Sequence, residues 1–114
     1  MASSPRSPRD LLTPAALHIL LSLAGRDLHG YGIKQDVEAR TDGALNLGPG
    51  TLYEAIHRME ADEWIQEVDS EGDARKRVYR ITSEGSAILQ EELRRLDGIV
   101  RYARAERLLP EVEH

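Results

Sequence analysis

The order of hydrophobic and polar positions divides this chain into recognisable segments. Residues 1–10, MASSPRSPRD, have no apolar period, and their two Ser-Pro pairs disfavour helix, so they read as a flexible N-terminal arm. At Thr13-Pro14 the pattern changes to a helix start: a capping hydroxyl, then proline where its missing N–H costs nothing. Leu17, Ile19, Leu20, Leu21, Leu23 and Ala24 then cover more than one face, predicting a largely buried helix that ends at Gly25. A second helix is expected from His29-Gly30, with Ile33, Val37 and Tyr31 turned inward and Lys34, Gln35, Glu38 and Arg40 on its wet face. Thr41-Asp42-Gly43 breaks it, and Ala44–Leu47 reads as a short strand.

Gly48-Pro49-Gly50-Thr51 opens a third helix, whose Leu52, Ala55, Ile56 and Met59 recur at helical spacing on one face. That stripe leaves Thr51, Tyr53, Glu54, His57 and Arg58 on the outside. Two alternating runs, Trp64–Asp69 and Arg75–Thr82, flank a glycine-bearing turn and predict a hairpin. A long helix follows from about Ser83, helped by Ser83 and Glu84, and runs to Leu108 or Leu109 before Pro110. The fold class is therefore mainly α, with a small β element (α+β).

Length and composition narrow the chemistry. A chain of 114 residues suits one domain, burying roughly two-thirds of its unfolded surface, and is too short for a large multi-domain enzyme. It has no cysteine, which excludes disulfides and thiolate metal sites and suits a reducing compartment. The apolar run Ala15–Ala24 contains His18 and Ser22 and falls short of the ~20 residues that span a bilayer. The first ten residues lack the apolar middle of a signal peptide, so a cytoplasmic protein without membrane contact is expected. Catalysis finds no template: there is no G-x-S-x-G turn and no phosphate-binding glycine loop. His18, His29, His57 and His114 are never paired at metal-binding helical spacing, so no metal and no cofactor are expected.

The net charge of −5 opposes nucleic acid as a total, but its distribution does not. Negative charge accumulates over residues 42–64 and 83–114, whereas the arm carries Arg6 and Arg9. Within the hairpin Glu67, Asp69, Glu71 and Asp73 precede Arg75, Lys76, Arg77 and Arg80, a cationic strand suited to phosphate or minor-groove contact. Pairing of those charges across the two strands is the ordinary alternative. Two apolar helices, a break and a third helix starting on small residues suit a helix-turn-helix, whose last helix offers its N-terminal part to the major groove. Gly50 would let backbone approach a phosphate, Thr51 and Tyr53 offer hydroxyls, and His57 and Arg58 can reach base edges or backbone. Packing of Tyr53, or repulsion from Glu54, is the competing interpretation.

In the last helix Leu89, Leu93, Leu96, Val100 and Ala103 alternate in steps of four and three, with Ile88 and Ile99 beside the seam. This short heptad pattern calls for a partner helix, and a twofold copy would also match a palindromic site. Packing on the first helix is the alternative. Gly98 lies off the seam and weakens the helix by roughly 1 kcal/mol relative to alanine.

The strings LTPAALHILLSLAGRDLHGYGI (from Leu12), LGPGTLYEAIHRME (from Leu47) and RKRVYRITSEG (from Arg75) resemble the PadR family of bacterial transcriptional regulators, over roughly Leu12 to Leu96. The resemblance implies a winged helix-turn-helix that dimerises through C-terminal helices and represses transcription from double-stranded DNA. Residues 11–82 would be the DNA-binding domain, 83–109 the dimerisation helix and 110–114 a tail. Gly50, Thr51, Tyr53 and His57 would lie in the recognition helix, and Arg75, Lys76 and Arg77 in the wing. The lone helix after the wing is similar to the shorter subfamily.

Two departures stand out. Where the family has glycine and leucine after the recognition helix, this chain has Glu63-Trp64, at a position that favours a left-handed residue. Some short members bind flat aromatic ligands with a tryptophan in the dimer helix, where this chain offers only Tyr102. A sensor with an unknown small-molecule effector at the dimer interface, and an interaction module without DNA binding, are the alternative functions.

Overall fold

The computed structural model describes residues 12–68 and 77–110. Helix α1 spans Pro14–Leu23, strand β1 Leu28–His29, helix α2 Gly30–Arg40 and helix α3 Pro49–Ala61. Strands β2 (Ile65–Val68) and β3 (Val78–Ile81) follow, then helix α4 (Ser83–Ala105). The three strands form an antiparallel sheet in the order β1-β3-β2, with Leu28 opposite Tyr79 and Ile65 opposite Ile81.

Local chemistry explains the helix starts. The Thr13 hydroxyl accepts from the Ala16 N–H at 3.1 Å, with Pro14 at the first helical position. At α4 the cap is Thr82, one residue before the expected Ser83: its hydroxyl accepts from the Gly85 N–H at 3.0 Å. Thr82 is also stitched to the start of β2, because its N–H donates to the Trp64 carbonyl at 3.0 Å.

Three helices end in the same device. After α3, the Trp64 N–H donates to the Met59 carbonyl (2.9 Å) and the Glu63 N–H to that of Glu60 (3.0 Å), the paired bonds of a Schellman motif. Glu63 takes φ +64° to close it, so this chain makes the left-handed exit without glycine. Asp42 (φ +53°) and Arg107 (φ +61°) do the same after α2 and α4. A β-carbon in that conformation is strained. Glu63→Gly is accordingly expected to stabilise the fold by about 0.5 to 1 kcal/mol, raising Tm by about 2 to 8 °C in a thermal melt. An unchanged or lower Tm would mean that the carboxylate compensates for the strain.

The core gathers Ile19, Leu20 and Leu23 of α1, Ile33 and Val37 of α2, and Leu52, Ile56 and Met59 of α3. Ile65 and Tyr79 of the sheet close it from the other side. Burial pushes the Tyr79 phenol above its ordinary pKa, with Glu60 and Glu67 adding to the shift. Two expectations are corrected. Tyr31 is exposed rather than inward, because α2 turns only its Ile33–Val37 side and Gly30 to the core. Residues 44–47 form no strand; Leu47 plugs the core from an irregular segment instead. The helix start expected at His29-Gly30 holds, and Leu28–His29 just before it adds a third strand that no sequence pattern announced.

A polar cluster fastens α1 to α2. Asp36 accepts from both Arg26 and Arg40, and Arg40 also donates to the fully buried Ser22 hydroxyl at 2.8 Å. Hydrogen bonding to Ser22, and then the two guanidiniums, hold Asp36 below the usual carboxylate range. Arg40 further reaches His18 Nδ1 at 3.1 Å, and burial together with that cation lowers the imidazole pKa.

Candidate nucleic-acid interface

Helix α3 buries Leu52, Ile56 and Met59, and this anchoring turns the remaining side chains outward. Gly50, Thr51, Tyr53, Glu54, His57 and Arg58 are all exposed, so the residues singled out from sequence share one outer surface of this helix. Gly48 and Pro49 start the helix without a side-chain cap, which leaves its first amides facing outward near Gly50 and Thr51. Among the described residues no ion pair engages Arg58 or His57. The acidic residues Glu60, Asp62 and Glu63 lie at the opposite end of the helix from Gly50 and Thr51, away from the N-terminal face.

The hairpin stands beside this helix, joined to it through the Schellman exit at Glu63-Trp64. Arg75 and Lys76 lie outside the described residues. Arg77 is exposed at the foot of β3, with its Nε 3.6 Å from Glu67 Oε1, a cross-strand pair in which both side chains remain well solvated. Arg80 is committed elsewhere: it grips Asp27 with two bonds, Nε–Oδ1 at 3.1 Å and Nη2–Oδ2 at 2.8 Å. That bidentate bond holds the Asp27 carboxyl below its usual range and ties β3 to the segment before β1. Of the cationic run seen in the sequence, Arg80 therefore belongs to the structure of the sheet rather than to a free phosphate-facing strand.

Helix-turn-helix, hairpin wing and a long C-terminal helix make a winged-helix arrangement. A family model described as Transcriptional regulator PadR-like family matches residues 19–91. The chain belongs to the PadR-like family of transcriptional regulators. It is 37% identical over 86 residues to Transcriptional regulator Rv3488 of Mycobacterium tuberculosis, covering 75% of this chain and 78% of that protein. Among solved structures it is similar to a transcriptional regulator from Clostridium thermocellum (TM-score 0.68, 27% identity, 79% of this chain and 89% of the other). It is also similar to a PadR family transcription regulator from Clostridium difficile R20291 (TM-score 0.67, 25% identity, 82% and 97%). PadR-like membership makes this chain a transcriptional regulator of winged-helix DNA-binding type, not an enzyme. No helix among the described residues is long and apolar enough to cross a membrane.

One expectation about the heptad pattern of the C-terminal helix is corrected. Leu89 is 4% exposed and belongs to the core of its own chain, where the first turns of α4 pack on α1 and β3. The physical reason is the Thr82 cap and the buried Gly85, which press the start of α4 onto the sheet. Beyond Glu92, which is buried and paired with Arg95 by two bonds of 2.7 and 2.9 Å, no residue of α4 is fully buried. Leu93, Ile99 and Tyr102 are exposed, and Leu96, Val100 and Ala103 are half-buried.

Proposed function

We propose that this PadR-like regulator is a homodimeric repressor that binds a palindromic operator in double-stranded DNA. The observation that carries the DNA-facing part is the outer surface of α3, where Gly50, Thr51, Tyr53, His57 and Arg58 stand exposed over a helix held rigidly from beneath. Helix amides and hydroxyls near Gly50, Thr51 and Tyr53 would engage phosphates, while His57 and Arg58 would face the groove. The apolar side of α4 from Leu93 to Ala103 supports the dimer, because a monomer leaves Ile99 and Tyr102 in water. A twofold dimer would set two recognition helices about one helical turn apart, roughly 34 Å.

Selection of bound fragments from genomic DNA tests this directly. Enrichment of one inverted repeat supports the operator; no enrichment at low salt favours a winged helix that binds protein instead. The wing is tested separately. Arg75→Ala combined with Lys76→Ala is expected to weaken binding and to flatten the log–log salt slope by about 0.9 per lost phosphate contact. An unchanged slope would remove both residues from the interface.

A further inference from the structure

We propose that Gly30 is a positioning residue for the DNA-facing helix, acting through Tyr53. This rests on the DNA-binding role of α3 given above. Gly30 opens α2 at the point where β1 ends, and it is buried. A Cβ added there would lie 2.6 Å from the Tyr53 hydroxyl oxygen, 3.0 Å from Cζ and 3.1 Å from Cε1. The phenol tip therefore rests on the bare Cα of Gly30, and the absent side chain is the room that the ring uses. The backbone of Gly30 is not left-handed, so its conformation alone does not require glycine. What requires glycine is the ring of a residue on the neighbouring helix.

The consequence is functional because of which atoms collide. The obstacle to a methyl group at position 30 is the far end of a side chain that is still 42% exposed, free to swing outward without moving either helix. A larger residue at 30 would thus spare the fold while displacing the hydroxyl that α3 offers to phosphate. The other glycine of this turn, Gly32, has no such duty: its nearest neighbour would be Leu28 at 3.4 Å, an ordinary contact.

The test uses the full chain and a mixed-sequence DNA duplex of about 30 base pairs at low salt, since a phosphate contact is independent of sequence. Gly30→Ala is expected to keep a cooperative melt near that of the natural chain while weakening DNA binding about three- to tenfold. In a Tyr53→Ala background the same substitution should have no further effect, because the collision is gone. Gly32→Ala should retain the natural affinity. An undiminished affinity in Gly30→Ala, a loss that persists without Tyr53, an equal loss in Gly32→Ala, or a Gly30→Ala chain that no longer melts cooperatively would each overturn the inference. Absence of duplex binding by the natural chain would instead overturn the DNA role itself, and this inference with it.

Discussion

Gly85→Ala is expected to cost the fold about 3 kcal/mol or more, lowering Tm by more than about 10 °C. The reason is a contact without slack. A Cβ at position 85 would lie 2.0 Å from the Trp64 carbonyl oxygen and 2.9 Å from its carbon, and both are backbone. That carbonyl accepts from the Thr82 N–H at 3.0 Å, and Thr82 in turn caps α4 through Gly85 itself. The methyl group can therefore be accommodated only by lifting α4 from the sheet, which removes the cap and loosens Leu89 from the core. Losses of this size are a large part of the 5–15 kcal/mol by which a domain is typically stable. Gly98→Ala in the same helix is the contrast. A Cβ there meets nothing within 4 Å, so the substitution should gain about 1 kcal/mol of helix propensity. Thermal melts of the two variants decide the matter; equal Tm values would show that the junction between Gly85 and Trp64 yields.

The second large effect concerns assembly. Leu93→Asp combined with Ile99→Asp should convert the proposed dimer into a chain of 12.8 kDa in solution and weaken binding to the proposed operator by at least about 100-fold, through loss of bivalent attachment. Both side chains are exposed in the single chain, at 39% and 52%, so charge at these positions spares the monomer core. The substitution instead places carboxylates where the seam would bury apolar surface. Leu89→Asp would be uninformative here, because Leu89 is buried in its own chain and its loss would unfold the monomer. Mass by light scattering with DNA titration checks the outcome. A natural chain that runs as a monomer, or a double variant that stays dimeric, would remove the α4 seam from the proposed function.

How far the sequence was legible follows from the range of each cause. Thr13-Pro14, the Leu52/Ala55/Ile56/Met59 stripe and the alternating strands are governed by neighbours within a turn or a pleat, and periodicity reports them directly. The outward face of α3 follows from the same stripe, which is why Gly50, Thr51, Tyr53, His57 and Arg58 were found together. Two-residue β1 is too short to show any alternation; it exists because Leu28 and His29 find Tyr79 and Val78 fifty residues away. Arg80 looked like its cationic neighbours until the fold brought Asp27 within 2.8 Å. Leu89 matched the heptad as well as Leu93 does, and only the docking of α4 separates the two.

By itself, then, the amino-acid sequence determined the order of the four helices and the hairpin, the helix starts and the outer face of α3, because each is settled by side chains a few positions apart. Tertiary structure decided which members of each pattern remained available. It turned Arg80 into a sheet fastener and drew Leu89 into the core. It gave Gly30 and Gly85 their roles through contacts with Tyr53 and Trp64, residues about twenty positions distant. The physical reason is common to all four: burial and pairing depend on partners that chain folding brings together, and local spacing carries no record of them.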